Sequence, residues 1–251
     1  VTLFEPRIAL ASLSGEADAE WARAGAAYAG AAFLGGIALD EGTRSAARAM
    51  VDRDRTEFLP SDPIAFIDDQ LDALTDVDIL PGFNVRTATL DPLARAARVC
   101  ESHDAILEIN AHCRQDEMCG VGAGESLLTD ADRLCEQVQT ASDGGATVSA
   151  KLRAEVPGVD LPALAPRLEA AGADVLHVDA MDSESVIGAI VDATSIPVIA
   201  NNEVRDRNSV REYLSYGAAA VSVGRPSDDP RVLERVRTAT EDWFPQQEVS
   251  P

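Results

Sequence analysis

Lys151 is the only lysine in the sequence; the other twenty basic residues are arginines. It sits in Ala146-Thr-Val-Ser-Ala-Lys-Leu-Arg153, a stretch that reads as a strand. A surface ion pair is served equally well by arginine, as it is everywhere else in this chain. A lone lysine in a strand points to work that needs a compact ammonium on a flexible stem: a point charge on an anionic ring or phosphate, or an amine whose pKa is shifted. The plain alternative is chance in a lysine-poor composition.

Other chemistry-bearing residues fall at the ends of apolar runs. By period-two alternation, Glu108 shares a face with Asn110, Ser149 with Lys151 and Arg153, and His177 with Asp179. Two further runs end in Ile-Ala-Asn201-Asn202-Glu203 and Val-Gly224-Arg225-Pro. Asn201-Asn202 and Gly224-Arg225 suit a phosphate site: turns that present backbone N–H groups, a glycine that permits close approach, and a guanidinium for bidentate binding. Taken alone, each is an ordinary turn. Between Ala111 and Gly124 lies a polar loop with His112, Cys113, Cys119 and three glycines. A cysteine just beyond a strand end is placed to act as acid or nucleophile. His112, Cys113 and Cys119 lack a fourth ligand at a metal-site spacing, so no metal is expected. Cys100 and Cys135 lie among apolar helical residues and read as core. His177 reads as an interior residue one layer below Asp179, and His103 as a helix-end surface residue. Lys151, Glu108 and Asp179 neutralise one another if all point inward; a buried lysine without such partners is costly.

Something must bring these residues to one place. Short apolar runs at 8–12, 34–39, 77–83, 105–110, 146–152, 174–179, 196–200 and 219–223 alternate with amphipathic segments such as 91–101, 131–141, 161–171 and 183–193. Eight strands in strict alternation with helices predict a single-domain (β/α)8 TIM barrel spanning 1–251. The long crossover from Leu39 to Val77 predicts an extra helix before one at 62–75. In such a barrel the chemistry collects at the C-terminal ends of the strands, where all the residues above belong.

Asp and Glu number 43 against 21 basic residues, a net charge of −22. Such a surface disfavours nucleic acid, whose binding rests on Lys and Arg at phosphates. High acidity with loss of lysine also marks a protein of a high-salt, halophilic cytoplasm, where charge repulsion is screened over about 3 Å at 1 M salt. Net charge therefore does not exclude an RNA substrate. No stretch is long and apolar enough for a membrane span, and the N-terminus lacks the pattern of a signal peptide. The four cysteines include no Cys-x-x-Cys pair. The expectation is a cytoplasmic protein with free thiols.

From Asp104 to Arg225 the chain resembles the tRNA-dihydrouridine synthases, FMN-dependent barrels that reduce uridine in tRNA. That family shows Asp-Ile-Asn-x-Gly-Cys-Pro after its fourth strand, where Glu108-Ile-Asn110-Ala-His-Cys113-Arg stands here. Its Gly-Ala-Gly-x-x-Leu-Leu is matched by Gly122-Ala-Gly-Glu-Ser-Leu-Leu128, and its Lys-x-Arg by Lys151-Leu-Arg153. Its Ile-Ala-Asn-Gly is matched by Ile-Ala-Asn201-Asn202, and its final Gly-Arg by Gly224-Arg225. The resemblance implies FMN held by Asn84, Asn110, Lys151, Asp179, Asn201, Asn202, Gly224 and Arg225, with the loop from Pro6 to Gly15 beside the flavin. It implies NADPH or NADH as reductant and Lys151 stabilising negative charge on the reduced ring. It implies hydride transfer to C6 and protonation of C5 by Cys113, in uridine of tRNA or a smaller pyrimidine. A free thiol, with pKa near 8.5, is mostly protonated at pH 7 and suits that step. There are departures. His112 and Arg114 replace Gly and Pro around the cysteine, Asn202 replaces Gly, and Asp179-Ala-Met181 replaces His-Gly-Arg after the sixth strand. Family members also add a helical RNA-binding domain, and this chain ends at Pro251, so the resemblance implies a barrel-only, archaeal-type relative.

Two other readings stand beside it. One is a phosphate-binding lyase or aldolase with Lys151 as Schiff-base amine, which leaves the Cys113 loop without a role. The other is a barrel that binds FMN without turnover. If RNA binds, the arginines expected at the mouth are Arg86, Arg114, Arg153, Arg205 and Arg207.

Overall fold

The computed structural model describes residues 3–244. Eight parallel strands close into one barrel in chain order: β1 (Ile8–Leu10), β2 (Ala31–Ala38), β3 (Leu80–Arg86), β4 (Ile106–Ala111), β5 (Thr147–Arg153), β6 (Val175–Asp179), β7 (Val198–Asn201) and β8 (Ala220–Val223). The helices are α1 (Ala19–Gly25), α2 (Glu41–Val51), α3 (Pro63–Asp72), α4 (Leu90–Ser102), α5 (Asp116–Gly120), α6 (Ala131–Asp143), α7 (Leu161–Ala170), α8 (Val186–Ala193), α9 (Arg207–Ser215) and α10 (Pro230–Trp243). The extra helix of the long crossover is α2.

Much of the acidity has a local use. Asp18, Asp40, Asp62, Asp130, Asp160, Asp206 and Asp229 each cap a helix by accepting a backbone N–H of its first turn. Each such cap is worth about 1 kcal/mol, and the negative charge suits the helix N-terminus.

All eight strands were legible as apolar runs, but two are displaced. β2 begins at Ala31 rather than 34, and β3 runs over Leu80–Arg86 rather than 77–83. The apolar signal at Val77 and Ile79 precedes β3, whereas Asn84 and Arg86, which break the run, are inside the strand.

Alternation sorts the barrel interior by depth. The floor is apolar: Ala9, Phe33, Ile106, Val175, Ile199 and Ala220 pack with Phe4. Above it Asn84, Glu108, Ser149, His177 and Ser222 are fully buried, an unusually polar layer. At the mouth come Arg86, Asn110, Lys151, Arg153 and Asp179. Strand register sets Asn110 beside Lys151 and Lys151 beside His177, and sets Arg153, Asp179 and Asn201 side by side. The larger apolar core lies between barrel and helices and includes Cys100, with Cys135 packed at its margin. His103, at the end of α4, pairs with Asp68.

Candidate active site

Lys151 reaches the mouth from the middle of the barrel and is 2% exposed. Among the described residues its amine makes no hydrogen bond and has no carboxylate within ion-pair distance. Burial pushes its pKa below the usual lysine value, and the charges of Glu108 and Asp179 work against that. The amine therefore points into the mouth with its donors uncommitted.

Beneath it, hydrogen bonds converge on Glu108. Asn84 Nδ2 donates to Oε1 at 2.7 Å, Ser149 Oγ donates to Oε2 at 3.2 Å, and His177 Nδ1 lies 2.6 Å from Oε2. Burial works to raise the Glu108 pKa; the proximity of His177, the Lys151 charge and the hydrogen bonds from His177 and Asn84 outweigh it and bring it down to about 2. Burial and the Lys151 charge push His177 the other way, toward its neutral form. A carboxylate can only accept, so the proton of neutral His177 is assigned to Nδ1. Nε2 is then the acceptor for the Ser222 hydroxyl at 2.7 Å, and Ser222 Oγ accepts from Asn201 Nδ2 at 2.8 Å. On the other side Asn110 Nδ2 donates to Asn84 Oδ1 at 2.8 Å, and Asn110 Oδ1 accepts the N–H of Cys113 at 3.0 Å. One directed network thus runs from β7 and β8 through Glu108 to the Cys113 loop. Asn84, expected to touch a flavin, has both amide atoms engaged in this layer.

The Cys113 loop is clamped from behind. Glu125 N–H donates to the Cys113 carbonyl at 2.8 Å, and Cys119 Sγ approaches that carbonyl at 3.4 Å. Gly124, at φ +65°, lies so near that a Cβ there would stand 2.2 Å from the same oxygen. This is the physical use of Gly-Ala-Gly. Cys113 is partly exposed, and the Arg86 guanidinium lies near its thiol, with Arg86 Nε left without a hydrogen-bond partner among the described residues. The sequence reading did not anticipate Arg86 in this position. It is 1% exposed, ion-paired with buried Glu57 and bonded to the Gly36 carbonyl at 2.6 Å. The five-arginine surface strip is accordingly corrected. Arg86 is interior, Arg153 is enclosed by carboxylates, Arg205 pairs with Glu203 and Arg207 with Asp242. Arg114 alone of the five is exposed without an ion pair among the described residues.

The β5–β6 side of the mouth is acidic. Arg153 lies 3.6 Å from Asp179, 3.7 Å from Glu125 and 3.9 Å from Glu155. Burial raises the Asp179 pKa, with Lys151 and Arg153 opposing. His112 Nδ1 is 3.7 Å from Asp179 Oδ2, and burial with the nearby Lys151 charge pushes that imidazole strongly toward neutrality. No group of three or more His, Cys, Asp or Glu among the described residues is arranged to hold a metal.

The β7–β8 side is open and cationic. A Cβ at Gly224 would meet nothing within 4 Å. Arg225 is exposed with no ion pair among the described residues. Asn202 occupies the left-handed region at φ 113°, as the glycine it replaces would, and its buried Nδ2 has no hydrogen-bond partner. Asn201 is turned inward onto Ser222 instead.

The sequence model of the dihydrouridine synthase family matches residues 84–249, more than half of the chain. The chain belongs to the dihydrouridine synthase family. A probable tRNA-dihydrouridine synthase of Rhodobacter capsulatus is 32% identical over 149 residues, 53% of this chain and 46% of that protein. The chain thus spans less than half of that relative. An uncharacterized protein of Methanocaldococcus jannaschii is 26% identical over 234 residues, covering 88% of this chain and 89% of its own length. Among solved structures, the Amycolatopsis orientalis BexX/CysO complex contains a chain that superposes with TM-score 0.58 at 21% identity, over 99% of this chain and 96% of that one. This last likeness is one of fold. The dihydrouridine synthase match begins at Asn84, so it takes in the polar network, the Cys113 loop, Lys151 and the β7–β8 turns together. No described helix is long and apolar enough to cross a membrane.

Proposed function

We propose that this barrel is an FMN-dependent reductase of the dihydrouridine synthase type, which saturates the C5–C6 bond of a uridine in RNA or of a smaller pyrimidine, with NADPH or NADH as reductant. The observation that carries the reading is the Lys151 amine: the one lysine of the chain, buried at the mouth, with no hydrogen bond or ion pair among the described residues.

The residues present fit an FMN. The open backbone at Gly224, exposed Arg225 and the buried Asn202 amide, which has no partner among the described residues, would take the phosphate, and Lys151 would bear on the flavin ring, where an ammonium stabilises negative charge. Bound FMN would supply the hydride to C6. The chain's own part is proton delivery and geometry. Cys113 would give its Sγ proton to C5 and regain one from solvent. Asn110 holds the Cys113 backbone, and Glu108 holds the neighbouring charge balance.

The deciding experiment is the absorption spectrum of protein purified in high salt. The expected result is a yellow flavin band, weakened or lost in Lys151→Ala and Arg225→Ala. A colourless protein that also fails to take up added FMN overturns the reading. The same uncommitted, desolvated amine would then favour a Schiff-base lyase, and borohydride trapping of a carbonyl compound on Lys151 tests that second reading.

A further inference from the structure

We infer that the β5–β6 side of the mouth recognises a nucleobase-sized heterocycle presenting amino and ring N–H donors, an aminopyrimidine rather than a uridine carried on a phosphodiester chain. This refines the substrate of the proposed reductase and rests on that reading for the reduction, though not for the binding.

Buried without a hydrogen-bond partner on this side, among the described residues, are two carboxylate oxygens and one ring nitrogen, His112 Nδ1. Asp179 Oδ1 and Glu155 Oε2 are buried and receive no hydrogen bond among the described residues. Asp179 is itself 8% exposed, and its other oxygen faces Arg153 and His112 only at 3.6 and 3.7 Å, beyond hydrogen-bond length. Glu155 does not hang free. Its Oε1 accepts from Ser183 Oγ at 2.5 Å and from Asp182 N–H at 3.2 Å, which ties the loop after β5 to the loop after β6 and fixes where Oε2 points. Buried acceptors that are held in place and left unsatisfied call for a ligand that brings donors.

Charge supports the same class. Three carboxylates, from Glu125, Glu155 and Asp179, surround one guanidinium, Arg153. Uracil offers an acceptor–donor–acceptor edge, so its carbonyls would meet carboxylates. An amino group, like that of cytosine, is what Asp and Glu accept from. Of the arginines expected to follow a phosphodiester chain, Arg86 pairs with Glu57, Arg205 with Glu203 and Arg207 with Asp242, and Arg153 is enclosed by carboxylates, which leaves Arg114. Asp179 also stands where the family pattern has His-Gly-Arg, so an acid replaces basic groups at this point of the site.

The test is calorimetric binding to the purified protein, with whatever cofactor it retains, in one potassium chloride buffer. The probes are cytosine, isocytosine, uracil and a short oligouridylate. The expected result is that an aminopyrimidine binds at least about tenfold more tightly than uracil. Glu155→Gln should weaken that preference while keeping its absorption spectrum and unfolding midpoint, and Asp179→Asn should abolish it. The inference is overturned if uracil binds as tightly as the aminopyrimidines, if no aminopyrimidine binds, if Glu155→Gln leaves the preference unchanged, or if the oligouridylate binds tightest with an affinity that falls with salt. The spectrum separates the two readings. A yellow protein that prefers uracil keeps the reductase and loses this inference; a colourless one that prefers cytosine does the reverse.

Discussion

His177 Nδ1 lies 2.6 Å from Glu108 Oε2, and the pair joins β4 to β6 across the barrel. Both side chains are fully buried. The family pattern has Asp at position 108. The extra methylene of Glu lengthens the reach toward a histidine two strands away, and that histidine passes the connection on through Ser222 to Asn201. The layer under the mouth is thus one network with a single negative charge at its centre.

That charge is the nearest compensation for Lys151, so removing it should be expensive. Glu108→Gln removes the carboxylate whose charge most favours the buried ammonium and should be destabilising. Lys151→Met in the same chain should recover a large part of the loss. Urea unfolding of the two single variants and the double variant closes the cycle. Strict additivity would mean that Glu108 and Lys151 do not sense each other.

Stability should fall in two stages as pH is lowered. His112 and His177 are held below the ordinary histidine value of 6.5 in the folded state. The unfolded chain therefore takes up protons first, and stability declines from about pH 6.5 downward. Glu108 is held near 2 against an ordinary 4.5, so its contribution is intact above 4.5 and is lost as pH falls from there toward 2. Asp179, raised above 3.8, contributes in the opposite sense and partly offsets the second stage. Urea midpoints between pH 7 and 3 check the profile, and His112→Gln should flatten the first stage. A midpoint constant from pH 7 to 5 would contradict the neutral assignment of both histidines.

The barrel was readable because parallel strands covered by helices are apolar on both faces and their helices are amphipathic. Reading failed where a strand carries polar residues toward the mouth. β3 ends in Asn84 and Arg86, so its apolar signal stopped early, and Arg86 read as a mouth arginine available to RNA rather than a buried partner of Glu57. The same limit explains Glu155. Its role depends on Ser183 and Asp182 of a different loop, and nothing local in the sequence announces that contact. Lys151, Asn110 and Cys113 were legible because type and position both stood out against strand alternation.

Gly124→Ala should damage the site more than the fold. The new Cβ would stand 2.2 Å from the Cys113 carbonyl, at a φ of +65° that costs a non-glycine residue roughly 1–2 kcal/mol. The Cys113 loop is the part able to yield. The expected variant is folded and flavin-binding, with its unfolding midpoint lowered and substrate reduction strongly impaired. Wild-type reduction rates in Gly124→Ala would show that the clamp behind Cys113 has no catalytic consequence.

Cys113→Ala tests the proposed proton donor. The side chain sits beside Arg86, so a thiolate left after proton transfer would face a guanidinium that is fixed by Glu57 and the Gly36 carbonyl. Alanine should retain the flavin spectrum and its reduction by NADPH, and should slow reoxidation by substrate about 10²–10⁴-fold, the usual range for loss of a general acid. Arg86→Met should slow the same step while also destabilising the protein through unpaired Glu57. Single-turnover reoxidation of the reduced flavin measures both. If Cys113→Ala reoxidises at the wild-type rate, the proton reaches C5 from another source and Cys113 has no part in the chemistry.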